Sequence, residues 1–158
     1  MTRASRILGI AAVEMAIVLP LLLLLLTPVA ELGRAFIQYS RLSHRVQAGA
    51  RFVADNAYQG STGVPLVTPE VRQRAINLVV YGRVAPSAQD PVAVPGLTAQ
   101  DVVVGEPEDC PRVGACVRLS VDYTYRPMVA GLLPMFGFAD DLDISALRLQ
   151  PSAVMRVL

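Results

Sequence analysis

Residues 7–30, ILGIAAVEMAIVLPLLLLLLTPVA, decide the fold of this chain. The stretch is apolar throughout, with Glu14 as its one ionisable residue. A helix needs about 20 apolar residues to cross the hydrocarbon core of a bilayer, so this stretch is long enough. Arg3 and Arg6 precede it, and the positive-inside bias therefore predicts a cytoplasmic N-terminus with the rest of the chain outside.

Three interpretations of this segment compete. It fits a plain signal-anchor, and it fits loosely a secretory signal peptide cut between Ala30 and Glu31, although Pro28 stands where a small residue is usual. Neither explains Glu14. An ionised carboxylate inside an apolar helix is costly unless it reaches the headgroups or finds a cationic partner. The third interpretation therefore requires a cation that the segment itself does not supply.

Composition excludes several classes of function. The 158 residues carry a net charge of only +1, which argues against a nucleic-acid partner. All 14 basic residues are arginine, so lysine chemistry is absent. One histidine and two cysteines leave little for a metal centre or a Cys–His nucleophile pair, and no cofactor motif is visible. We expect a protein that is not an enzyme.

The helical pattern continues beyond Ala30. Apolar residues recur at three- and four-residue steps, which predicts an amphipathic helix to about Ala57. We expect Pro20 and Pro28 to bend it or open its hydrogen bonds. The apolar stripe has two alternative partners, the core of its own domain or other subunits. Its members are Leu32, Ala35, Phe36, Tyr39, Leu42, Val46, Ala50 and Val53, with Arg34, Gln38, Arg41 and Arg45 on the opposite side.

The remaining sequence predicts an α+β domain in which the long N-terminal helix packs on a small antiparallel sheet. Thr68, Pro69 and Glu70 form the start signal of a second helix, which Gly82 closes. The predicted strands are 101–104, 116–126, 142–149 and 153–157. In the second strand, apolar residues alternate with polar ones, as in a sheet with one buried face.

Three smaller features have local interpretations. Cys110 and Cys116 are close in sequence and, in an oxidising compartment, are expected to form a disulfide. The apolar segment Met128–Phe138 is expected to lie under the sheet, with a partner surface as the alternative. Asp140, Asp141 and Asp143 are expected to form a solvated turn and not a calcium site, and His44 is expected to be solvated.

Several stretches are similar to a known family. Gly9-Ile10-Ala11-Ala12-Val13-Glu14 resembles the processing site of type IV prepilin-like proteins. The segments 11–21, 31–35 and 48–51 resemble the TadE family, the minor pseudopilins of the Tad (Flp, type IVc) adhesion pilus. The similarity is strongest over residues 9–53 and weaker in 121–127 and 153–156.

The resemblance implies that a prepilin peptidase cuts between Gly9 and Ile10. Cutting there frees the α-amino group of Ile10, which becomes the missing cation for Glu14 of a neighbouring subunit. It further implies five partners: the peptidase, the major Flp pilin, other minor pseudopilins, the inner-membrane assembly platform and membrane lipid. Biofilm adhesion is the implied role.

The resulting organisation has four parts. Residues 1–9 are a cytoplasmic leader, 10–30 a transmembrane helix, 31–57 its periplasmic extension and 58–158 a periplasmic α+β domain. The alternative function is a membrane-anchored periplasmic binding module that is neither processed nor polymerised. An enzyme on an anchor is disfavoured, because no catalytic or metal-ligand spacing is visible.

Overall fold

The computed structural model describes residues 3–58, 64–110, 114–128 and 147–157, with side chains from Ala11 onward. Its elements confirm the predicted α+β class. They form two compact units, residues 1–36 with 127–142 and residues 37–126 with 143–158. The elements are α1 (Arg3–Asn56), α2 (Pro69–Tyr81), a 3-10 helix (Ala99–Asp101), β1 (Val102–Val104), β2 (Glu108–Asp109), β3 (Ala115–Val121), β4 (Tyr123–Thr124), β5 (Arg148–Leu149) and β6 (Ser152–Arg156).

Helix α1 ends at Asn56, one residue before the predicted end, and passes through both prolines. A proline inside a helix removes the N–H that would donate to the carbonyl four residues earlier. The Thr27 hydroxyl donates to the Leu23 carbonyl at 2.7 Å, so this side chain satisfies its own polar group within the helix, next to Pro28. The Thr27 hydroxyl therefore needs no partner outside the helix.

The apolar stripe of α1 is buried in its second half, whereas part of its first half is exposed. Leu42, Val46 and Val53 are fully buried. By contrast, Leu32, Phe36 and Tyr39 are exposed, while Gln38 is buried. Hydropathy alone predicts the opposite, with Leu32 and Phe36 buried and Gln38 exposed.

Helix α2 begins and ends as the sequence predicts. The Thr68 hydroxyl accepts a hydrogen bond from the Val71 N–H at 3.3 Å, and Pro69 occupies the first turn, where a missing N–H costs nothing. Gly82 closes the helix with φ +78°, and its N–H donates to the Leu78 carbonyl at 2.9 Å. The helix buries Val71, Ala75, Val79 and Val80.

The sheet is built around β3, with β6 on one side and β1 and β2 on the other, all antiparallel to it. β4 and β5 continue β3 and β6 in one register, because Cys116 pairs with Arg156 and Tyr123 with Leu149. Pro151 interrupts the ladder because it has no N–H to donate. Its carbonyl nevertheless accepts from the Val121 N–H at 3.0 Å.

The predicted alternation along residues 116–126 is confirmed. Every second residue is buried, and together they form the sheet side of the core: Val117, Leu119, Val121, Tyr123 and Tyr125. Asp122 lies on the opposite face, where it accepts from Arg148 and from the Gln150 amide. Burial on one face only is what an antiparallel sheet next to a helix requires.

Other strand predictions hold with changed bounds. Asp101 belongs to the 3-10 helix and not to β1, the final strand runs over Ser152–Arg156, and β2 was not predicted because its two residues, Glu108 and Asp109, are acidic and exposed. Residues 142–146 of the predicted third strand lie outside the described residues. So do Asp140, Asp141 and Asp143, and all of the apolar segment 128–138 except Met128, which is exposed.

Candidate processing and assembly segment

The expected processing site lies in the first turns of α1. Gly9 and Ile10 have helical backbone, and the side chain of Ile10 is not described. Glu14 follows Ile10 by four residues, so the two positions share a face of the helix and are about 6 Å apart along its axis. This spacing fixes the separation, along the helix axis, between the Glu14 carboxylate and the amine that a cut after Gly9 would create.

The side chain of Glu14 is exposed, as are nearly all side chains from Ala11 to Ala30. An 18-residue window at this end of α1 has a mean hydropathy of 2.3, and none of it is buried within the chain. Water is a poor solvent for such a surface. One N-terminal apolar helix of this length fits a single-pass membrane protein.

The exposed apolar surface extends past the predicted span. Leu32 is 69% exposed and Phe36 is 72% exposed, although both follow Ala30. They lie four residues apart and therefore share one face of α1. In a soluble monomer, two such residues would remain in water, so this face is available for another apolar surface.

Glu31 has a structural contact that the sequence did not reveal. Its carboxylate accepts a hydrogen bond from the backbone N–H of Met128 at 3.0 Å, across a sequence separation of 97 residues. A charge-assisted bond of this kind is stronger than a neutral one. It anchors residue 128 to α1 just beyond the predicted span.

Gly49 lies within the family-like segment Ala48-Gly49-Ala50-Arg51, and the structure gives it a packing role. A Cβ at this position would lie 3.2 Å from Leu119 Cδ1 and 3.6 Å from the Ala75 carbonyl oxygen. The missing side chain therefore lets α1 approach both α2 and β3. A glycine in a helix costs about 1 kcal/mol relative to alanine, and here close packing offsets that cost.

The two cysteines form a disulfide with a Cα–Cα distance of 5.3 Å. It closes the turn between β2 and β3, where the Cys110 N–H also donates to the Gly114 carbonyl at 2.9 Å. Gly114 has φ +116°, which an L side chain rarely adopts. The bond is far along the chain from Gly9 and Glu14, and its role is to hold this hairpin.

Sequence reasoning missed a set of partly buried polar groups on α1. Arg34 Nη1, Gln38 Oε1 and Arg45 Nη1 are buried, and none has a hydrogen-bond partner in the described part of the chain. The predicted polar side of α1 thus faces inward at these residues. The Arg45 guanidinium lies against Gly82, where the carbonyl end of α2 carries partial negative charge and favours a cation.

Within the described ranges, no group of three or more His, Cys, Asp or Glu residues is placed to hold a metal ion. His44 is exposed on α1, where it lines a groove beside β6 together with Phe52 and Met155. The candidate site is therefore the exposed N-terminal part of α1.

Searches of curated proteins and of solved structures found no match. The comparison with family models did find one. Residues 9–51 match the model of the TadE family, described as TadE-like protein, which confirms the resemblance over that segment and links the chain to the Tad pilus system.

Proposed function

We propose that this chain is a minor pseudopilin that takes part in assembly of a Tad-type adhesion pilus, without catalytic activity of its own. The main support for this proposal is that the segment matching the TadE family contains both the Gly9–Glu14 spacing and the exposed apolar surface of α1. A protein that functions by lateral helix contacts needs such a surface.

Maturation is the first step of the proposal. A prepilin peptidase cuts after Gly9 at the cytoplasmic face of the inner membrane, removes Arg3 and Arg6, and frees the amine of Ile10. That amine carries a positive charge at neutral pH. Removal of two arginines also lowers the free-energy cost of moving the new N-terminus into the bilayer.

Pairing is the second step. When two mature α1 helices lie parallel and offset by about 6 Å, the amine of one is level with Glu14 of the other. In a low dielectric this ion pair is strongly favoured over two separate charges. Its net free energy relative to apolar packing is small, so its main effect is to select one axial register.

The partners in this scheme are the peptidase, the major Flp pilin, other minor pseudopilins and the inner-membrane platform. The chain is held as a single-pass protein with residues 58–158 in the periplasm, where the Cys110–Cys116 disulfide is stable. It then primes the pilus or becomes part of it.

The test replaces Glu14 in cells that depend on this chain for pili. We expect Glu14→Ala to remove at least nine-tenths of the pili seen by electron microscopy, while membrane insertion and disulfide formation continue. Glu70→Ala is the matched control, because Glu70 is an exposed glutamate on α2. Normal piliation with Glu14→Ala would show that the proposed pairing is wrong.

A further inference from the structure

The two edges of the sheet differ in how their backbone groups are satisfied. On the β1 side, the Val104 carbonyl accepts a hydrogen bond from Arg72 Nη1 at 2.6 Å, and the same guanidinium pairs with Glu106. Arg72 therefore lies along this edge and occupies it. A charged side chain across a strand is a common protection of an edge against pairing.

Within the described residues, no charged side chain is hydrogen-bonded along the β6 edge in this way. The Val157 N–H donates to the Ala115 carbonyl, and the Pro151 carbonyl accepts from Val121, so the odd-numbered residues of this strand face β3. In an antiparallel ladder, the intervening residues direct both backbone groups away. These are Ser152, Val154 and Arg156, and within the described residues no hydrogen bond reaches their outward groups.

A groove runs beside this open edge on the inner face of the sheet. Met155 on β6 and Ala48 and Phe52 on α1 supply its apolar lining, together with His44, Gln47, Arg51 and Asp55. A strand added to β6 would direct alternate side chains into this groove, because strand side chains alternate between faces. Apolar side chains at these positions match Met155 and Phe52.

The outer face beside the same edge is cationic. Arg156 lies on it, and Arg118 on β3 is the cross-strand neighbour of Val154 on β6, which is 49% exposed. Neither arginine makes an ion pair in the part of the chain that the structure describes. Outward side chains of an added strand would meet these two charges, so acidic residues match best.

We propose that β6 binds an extended segment of another protein in which apolar and acidic residues alternate, by addition of a strand to the sheet. A second copy of this chain fits less well. Its own β6 contains no acidic residue to meet Arg118 and Arg156, and its β1 edge is occupied by Arg72. The site is independent of processing at Gly9.

The probe is an acetylated, amidated heptapeptide of alternating valine and glutamate, added to the full chain in detergent micelles. We expect amide hydrogen exchange at Ser152, Val154 and Arg156 to slow at least tenfold. The amides of Ala153 and Met155 already face β3 and should change little. Unchanged exchange at the three outward amides at millimolar peptide would overturn the proposal.

Matched pairs of variants sharpen the result. Val154→Pro removes only an outward N–H and should weaken peptide binding at least tenfold, whereas Val154→Thr keeps the N–H and should bind normally. Equal peptide binding by both variants would contradict strand addition.

Arg156→Glu tests the charge preference, and it applies even if Val154→Pro fails to fold. It should make the chain bind an alternating valine–lysine peptide more tightly than the valine–glutamate peptide. Arg126→Glu, an exposed change on the same sheet face beyond β4, should leave the preference unaltered. Self-association through β6, seen as Val154-dependent dimers without peptide, would also overturn the assignment of the partner.

Discussion

Gly49 on α1 lies so close to Val79 on α2 that a Cβ at position 49 would be 2.8 Å from Val79 Cγ2. Real Cβ atoms do not approach a carbon this closely, and Val79 is fully buried with little room to move. The packing of α1 against α2 therefore depends on the absence of a side chain at residue 49.

Gly49→Ala should consequently destabilise the fold by about 1–3 kcal/mol, although alanine is the better helix former. Gly33→Ala is the matched control in the same helix, because nothing lies within 4 Å of its added Cβ, and it should stabilise by up to about 1 kcal/mol. Thermal unfolding in detergent, followed by circular dichroism, measures both. Equal shifts in the same direction would contradict the close contact.

The exposed and buried apolar residues of α1 should respond differently to truncation. Phe36→Ala should change the free energy of unfolding by less than about 0.5 kcal/mol, because Phe36 is 72% exposed. Leu42→Ala should cost about 2–5 kcal/mol, because Leu42 is fully buried. If Phe36 belongs to an assembly surface, its variant should reduce piliation without loss of protein. A large loss of stability with Phe36→Ala would show that the chain itself covers this residue.

The disulfide should contribute a modest, local stabilisation. The chain-entropy relation gives about 2 kcal/mol for so short a loop, so the double variant Cys110→Ser/Cys116→Ser should lower the urea midpoint accordingly. Reduction of the unaltered protein should have the same effect and provides the control. A midpoint that does not move in either case would mean that the hairpin is held without the bond.

Gly82 should be sensitive for two separable reasons. Its φ of +78° disfavours alanine by about 1 kcal/mol, and an added Cβ would lie 2.6 Å from Arg45 Nη1. Gly82→Asn should cost less than Gly82→Ala in urea unfolding, because asparagine tolerates the left-handed conformation. Adding Arg45→Ala to Gly82→Ala should recover part of the loss. Strict additivity of the two changes would exclude a direct contact.

The sequence predicted features that depend on local chemistry. Thr68, Pro69 and Gly82 mark the ends of α2 by their backbone preferences, and the alternation around Leu119 marks a half-buried strand, all without knowledge of distant residues. The TadE-like segment was also recognisable, because its apolar run and Glu14 are contiguous in the chain.

Features that depend on distant residues were not predictable. Burial of Gln38 in preference to Phe36 follows from which side chains fit against the rest of the chain, and hydropathy favours the opposite choice. The contact of Gly49 with Val79 and the continuous register across Pro151 likewise require the tertiary structure. Strand β2 is polar and has no hydrophobic pattern that predicts a strand. It forms only because it pairs with β3.

The central claim concerns the N-terminus of the mature chain, and intact-mass spectrometry of the protein from its native membranes measures it directly. If the account is correct, pilus-competent material begins at Ile10, and a strain without the prepilin peptidase retains the residues through Gly9. Pilus-competent material that begins at Met1 or Thr2 would contradict the account, and a chain that begins at Glu31 would instead show removal of a secretory signal peptide.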